Sequence, residues 1–291
     1  MGFPSTNPME NDMGNELELV TNEFSIDMSD DKDQMLAAFG QDGVAETKQS
    51  GPASLRINYD ADTEDGHTLK RGTWKIYNGS EMVYSDTVII NPMLRTFEYS
   101  IYDQEEGAFT CRSVQRKKIQ EAFPDNSGGF KCGRLTRQEA DGLSDDDPRL
   151  LLSQSVMCNI ILYGQLDMAD AVNAAGEASP VKDLPFVAYF KRSGFRPMND
   201  FIQNKLGNSI LLPTALIELT TQRQSNGGVT YWTPKPSLIK EVSFTPERKE
   251  LAKKFMDTVA ASNNKIIEEH REAVKQIVSS EDVNLADRFA S

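Results

Sequence analysis

Residues 72–90, "GTWKIYNGSEMVYSDTVII", and residues 95–103, "RTFEYSIYD", carry the pattern that decides the fold class. In the second stretch Phe97, Tyr99 and Ile101 alternate with Glu98, Ser100 and Tyr102. Side chains along a strand point to opposite faces, so the first set turns to a core and the second away from it. The first stretch holds Asn78-Gly79 between two aromatic and β-branched runs, the dipeptide favoured in type I′ hairpin turns. Working outward, "SLRINY" (54–59) puts Leu55, Ile57 and Tyr59 on one face, and "GAFTCRSVQRKKI" (107–119) adds another strand. "SVMCNIILY" (155–163) suits a central strand, "LPFVAYF" (184–190) another, and "ALIELTTQRQSNGGVTYWTP" (215–234) a hairpin with "SNGG" at its tip. Many short strands with turn signals between them predict a mainly β (α+β) chain built on a small antiparallel barrel or sandwich.

Two segments have helical spacing. Pro197 takes the first helical position ahead of Met198, Phe201, Ile202 and Leu206, which share one face. From Thr245 as N-cap and Pro246 after it, a stripe of Leu251, Phe255, Val259, Ile266, His270, Val274 and Ile277 predicts a C-terminal helix, with "SNNK" (262–265) marking a break. Residues 123–135, 139–150 and 167–183 read as loops, rich in Gly, Asp, Ser and Ala.

Net charge is −13 over 291 residues, and it is unevenly spread. Residues 1–50 hold eleven acids against Lys32 and Lys48, a net of −9, which leaves −4 for all the rest. Low hydrophobic periodicity with high charge predicts a disordered acidic arm over 1–50, a β-rich core over 51–244 and a helical segment over 245–291. No apolar run approaches the roughly 18 residues of a membrane span. The N-terminus has neither a basic region nor an apolar one, which excludes a secretory signal. Its Met-Gly start is followed by Pro4, a poor context for myristoylation. Cys111, Cys132 and Cys158, odd in number and widely spaced, fit reduced thiols.

Catalytic signatures are missing from the sequence. There is no phosphate-binding loop, dinucleotide fingerprint, His-Glu-x-x-His or Gly-x-Ser-x-Gly. Neither Cys-x-x-Cys nor a close histidine pair offers a zinc site, so no metal or other cofactor is expected. "SDDDP" (144–148) reads as a solvated turn, and His270, on the apolar helix stripe, as a packing histidine.

Two basic segments stand out against this background. Residues 109–137 net +5 and residues 186–205 net +3, and both are interleaved with aromatics. Cations that track phosphates beside rings that stack on bases are what single-stranded nucleic acid requires. The candidate phosphate ligands are Arg112, Arg116, Lys117, Lys118, Lys191, Arg192 and Arg196, and the candidate stacking rings are Trp74, Tyr102, Phe195 and Trp232.

"GTWKIYNGSEMVYSDTVIINPMLRTFEYSIYD", "FKCGRL", "LPFVAYFKRSGFRPMNDFI" and "LIELTTQRQSNGGVTYWTPKPSL" together resemble phage-encoded single-stranded DNA-binding proteins of the OB-fold type, over about residues 55–245. The resemblance implies an elaborated OB-like antiparallel barrel with a DNA groove. It also implies sequence-independent binding in phage replication or recombination, without catalysis, in the cytoplasm of the infected host cell. Such proteins carry an acidic C-terminal tail that meets replication partners and competes with DNA. Here "SSEDVNLADRFAS" is only mildly acidic and the strong acidity is N-terminal, so residues 1–50 are the expected docking or autoinhibitory arm. The alternative of another class is a phage virion structural protein: a tail, adaptor or decoration subunit. The choice of DNA over RNA and the oligomeric state are not legible in the sequence.

Overall fold

The computed structural model describes residues 51–290 except 63–65, 104–106 and 208, with side chains described as far as Ile277. The expected disordered arm, residues 1–50, lies outside the described residues. Ten strands follow: β1 (Ala53–Ile57), β2 (Trp74–Tyr77), β3 (Met82–Ser85), β4 (Val88–Asp103), β5 (Ala108–Arg112), β6 (Met157–Met168), β7 (Val172–Asn173), β8 (Val181–Phe190), β9 (Ala215–Asn226) and β10 (Val229–Glu241). The helices are α1 (Arg137–Ala140), α2 (Pro148–Ser155), α3 (Phe195–Asp200) and α4 (Pro246–Ala290).

The strands form one sheet in the order β10-β9-β4-β6-β8-β1-β2-β3-β7, with β5 on the free stretch of β4. All ladders are antiparallel except that between β1 and β8. The mainly β expectation with a C-terminal helix therefore holds. The ladder path is open, however, and it contains a parallel pair that the sequence did not announce.

β4 organises the sheet. Val88 and Ile90 on its first half and Phe97 and Tyr99 on its second are all buried in one cluster, although their parities differ. A bulge between Pro92 and Leu94 shifts the register by one residue and reconciles them. Gly164 faces this bulge, and a Cβ there would lie 2.2 Å from the Asn91 carbonyl oxygen, so only glycine fits.

The same cluster takes Ala215, Ile217 and Leu219 from β9 and Trp74, Ile76 and Val83 from β2 and β3, which are far apart in strand order. The sheet thus curls around a shared core, which α3 and the π-helical turn Phe201–Leu206 plug with Met198, Phe201, Ile202 and Leu206. Where the two sides meet, Thr221 donates a hydrogen bond to the Gly72 carbonyl and Tyr59 donates one to the Trp232 carbonyl. Gly72 has φ +83°, and a Cβ on it would fall 2.2 Å from the Trp232 indole nitrogen.

A second, smaller cluster lies on the opposite face. Ala252, Phe255 and Val259 of α4 cover Met93, Leu94, Ile161, Tyr163 and Val187. Thr245 and Pro246 begin α4 as expected, but the helix runs through "SNNK" without a break. Asn263 explains this, because its side chain is engaged by the sheet side: its Oδ1 accepts from the Gln115 N–H at 2.7 Å and its Nδ2 donates to the Gln115 carbonyl at 3.0 Å.

Other local expectations need correcting. The β2–β3 turn spans residues 78–81, with Asn78 Oδ1 accepting from the amides of Ser80 and Glu81. Only Gly79 there has positive φ, so the turn is not type I′. The two-residue turn with both positions left-handed is Gly227-Gly228, at φ +56° and +83°. α3 starts at Phe195, which leaves Pro197 at its third position. The segment expected as a loop over 139–150 contains the second half of α1, which is capped by a Thr136–Glu139 capping box, and the start of α2. "SDDDP" serves that start: Asp147 is the N-cap of α2, and its hydrogen bonds with Arg149 hold its carboxyl down at about 2. The segment over 167–183 holds β7 and the buried Met168 and Ala171.

Candidate nucleic-acid interface

The β6–α3 end of the core opens into two neighbouring clefts. One, of about 530 Å³, is lined by Lys131, Arg134 and Arg192 over a floor that includes Tyr99, Met157 and Cys158. The other, of about 340 Å³, is lined by Arg95, Lys117 and Lys118 together with Phe97, Gln120, Asn199 and Gln203. Ile119 and Phe195 line both, so the clefts share a wall and form one groove. Six cations and no carboxylate line it. Among the described residues none of the six is in an ion pair. Like charges gathered in a concave, largely apolar setting focus a positive potential on whatever enters.

Local backbone aims these cations. Lys131 has φ +53° and Arg192 φ +48°, in the left-handed region that costs side-chain-bearing residues about 1–3 kcal/mol. Lys131 lies over the Tyr99 ring at 5.7 Å from its centroid, and Arg134 donates to the Ser153 carbonyl at 2.6 Å. Lys117 and Lys118 follow Gln115, whose side-chain oxygen accepts from Thr96 Oγ1 at 2.7 Å and from the Tyr163 hydroxyl at 3.1 Å. Arg95 stacks on the Phe97 ring at 5.3 Å, and burial lowers its pKa. Its Nη1 is buried without a hydrogen-bond partner, which costs about 1–3 kcal/mol.

On the other face of β4 lies a second aromatic and basic patch. Tyr102 and Phe109 meet edge to face at 5.2 Å, Lys191 sits over Tyr102 at 5.7 Å and Arg112 over Phe109 at 5.1 Å. Tyr102, Phe109 and Tyr189 are all exposed. Lys191 adjoins Arg192, so this patch and the groove meet at that turn.

Of the sequence candidates, Lys117, Lys118, Arg192 and Phe195 come together in the groove, and Tyr102, Arg112 and Lys191 in the patch. Arg112 is engaged there, with its guanidinium bidentate on the fully buried Glu98 at 2.9 and 3.2 Å. Arg116 lies outside both linings and donates to the Ala122 carbonyl. Arg196 pairs with Asp200 at 3.4 Å. Trp74 must be withdrawn as a stacking ring, because at 1% exposure it is core and its ring packs edge-on to Phe190. Trp232 is half-buried against Tyr59 and Gly72, on the seam where the sheet meets itself.

Sequence reasoning missed three groove cations. Lys131 and Arg134 sat inside the counted basic segment without being singled out. Arg95 carried a sharper signal, a charge on the Phe97/Tyr99 parity of a strand whose parity is otherwise core.

Among the described residues one group of side chains could hold a metal: Cys111, Asp125 and Cys132, with ligand atoms within 4.8 Å of one another. Asp125 already uses both oxygens on the loop, accepting from the amides of Ser127, Gly129 and Cys132 and from the Ser127 hydroxyl. The hydrogen bond between the two thiols holds the Cys111 pKa down and, together with burial, pushes the Cys132 thiol up. His270 lies close by as a packing residue, its Nδ1 2.8 Å from the Asp125 carbonyl oxygen and its ring edge-on to Phe130.

No protein-family model, curated protein or solved structure matches the chain. No helix among the described residues is long and apolar enough to cross a membrane.

Proposed function

We propose that the chain binds single-stranded DNA without sequence preference and without catalysis, along the groove between β4, β6 and α3. The observation that carries this is the shared cleft lined by six cations and no acid, with the Phe195 ring at its junction. Phosphates pair with the cations, while Phe195 and the exposed Tyr102 and Phe109 offer faces worth about 1–3 kcal/mol per stacked base. A duplex presents its bases already stacked, so these rings favour a single strand.

The OB-like reading of the fold belongs to the same proposal. Its support is the bulged β4, shared between β9, β6 and β5, and the seam at Gly72, Thr221 and Trp232, where the open sheet curls onto itself. Kinship with phage single-stranded DNA-binding proteins, service in replication or recombination, residence in the infected cell's cytoplasm and partner docking through the acidic residues 1–50 are parts of that reading.

Fluorescence anisotropy of labelled oligo-dT, titrated with the full chain at two salt concentrations, tests it. Binding that weakens by about 0.7 log unit per log of salt for each phosphate contacted, and a weaker duplex control, is the expected result. Indifference to both nucleic acids would remove the proposal and leave virion assembly as the function to test in purified particles.

A further inference from the structure

The smaller of the two clefts differs from the larger in kind. Its cations are of two sorts: Lys117 and Lys118 are exposed, whereas Arg95 is half-buried with Nη1 withdrawn from water and lacking a hydrogen-bond partner. An exposed lysine gains little from one more anion, since water already serves it. A half-buried guanidinium lining the cleft meets less competition from water than an exposed ammonium. An anionic oxygen in the cleft therefore forms a stronger charge-assisted hydrogen bond with it, through its other nitrogens since Nη1 is closed even to water.

The group is also held in place beforehand. Arg95 stands on β4 just beyond the bulge, and its guanidinium is stacked 5.3 Å from the centroid of Phe97. Phe97 in turn packs against Phe195 at 6.4 Å. An anion therefore meets a guanidinium that loses little conformational freedom on binding. Around it stand three side-chain amides, Gln120, Asn199 and Gln203, each offering donors and an acceptor, and the Phe195 ring. At about 340 Å³ the cleft lies at the small end of ligand sites.

We infer that this cleft is a subsite for one nucleotide: Arg95 holds the phosphate, Lys117 and Lys118 flank it at the rim, and the amides and Phe195 hold the base. The subsite deepens the single-strand proposal and rests on it for the class of ligand. It gives the groove a fixed point at which one phosphate of the strand is seated, while the exposed cations along the rest of the groove let the strand slide. Arg95 then acts against the stability of the free protein, and its replacement by Met, which keeps the apolar stem, leaves the fold at least as stable.

The test is isothermal titration of the full chain with dTMP, thymidine and inorganic phosphate, on the wild type, Arg95→Met and Arg95→Lys, with melting temperatures of all three. We expect wild-type protein to bind dTMP at least about tenfold more tightly than thymidine or phosphate alone, since only dTMP engages both halves of the cleft. Arg95→Met loses this binding while melting no lower than wild type, and Arg95→Lys, lacking the planar fork, regains only part of it. Equal dTMP affinity in wild type and Arg95→Met, or thymidine bound as well as dTMP, overturns the subsite. Should Arg95→Met melt lower, Arg95→Lys decides: full dTMP affinity there removes the need for a guanidinium and overturns the assignment. Oligo-dT binding without dTMP binding refutes the subsite alone, whereas failure of both ligands refutes the single-strand proposal as well.

Discussion

Glu98 and Arg112 show how one buried pair can remove a residue from a functional shortlist. Glu98 is fully buried, and burial pushes its carboxyl up even though the bidentate Arg112 pulls it back. A carboxyl whose folded pKa lies above its unfolded value favours the fold at low pH, and that contribution is lost as pH rises through the folded value. Urea unfolding of wild type and Glu98→Gln across this window should show wild type losing stability relative to the variant as the pH climbs above 4.5, the ordinary value. A constant difference would mean that Glu98 is not perturbed. The groove cations behave differently because they lack such partners. Replacing Lys117, Lys118 and Arg192 together by alanine should weaken oligo-dT binding and flatten its salt slope by about 2, at roughly 0.7 per lost phosphate contact. Arg196→Ala, already paired with Asp200 outside the groove, should leave that slope unchanged. The charges themselves were plain in the sequence. Which of them already had a partner was not, because Glu98 lies fourteen residues from Arg112 and the two meet only across the β4–β5 ladder.

At the scale of elements, α4 does more than cover a sheet face. Asn263 uses both halves of its amide on the Gln115 main chain, just ahead of Lys117 and Lys118. Asn263→Ala leaves the Gln115 N–H and carbonyl without these partners, at a cost of about 1–3 kcal/mol, and frees the segment that aims both lysines. We expect a lower denaturation midpoint together with a loss of oligo-dT affinity. Wild-type affinity in a destabilised variant would show that the helix braces the fold and not the groove. The stripe on α4 was legible from its 3.6-residue period as far as Ile266, although Val274 and Ile277 at its far end are exposed, and so was the inward face of residues 198–206. The absence of a break at "SNNK" was not, since asparagines mid-helix signal a stop unless something outside the helix uses their amides.

For the whole molecule, charge is the governing quantity. Residues 1–50 carry −9 of the net −13, while every charged residue lining the groove in the described part is a cation. If the acidic residues compete with DNA for that groove, deleting 1–50 should tighten oligo-dT binding at low salt, with the gain shrinking as salt screens the charges. Equal affinity of the two chains in anisotropy titrations at low salt would discard the competition.

The sequence by itself determined the period of most strands and of the two longer helical segments, the inward face of β4 at Phe97 and Tyr99, that of α4 as far as Ile266, the helix starts at Thr245 and near Pro197, and the division of charge between the first fifty residues and the rest. These are local properties, set by which side chains recur every two or every 3.6 residues and by what caps them. Only the tertiary structure decided that the sheet is open and carries a parallel pair, that Trp74 is core, and that Arg95, Lys131 and Arg134 join Lys117, Lys118 and Arg192 around one groove. The physical reason is register. A single bulge at Pro92–Leu94 swaps the faces of β4 midway, placing Arg95 with Phe97 and Tyr99 at the edge of the core. No periodicity read along one strand reveals which strands lie beside it.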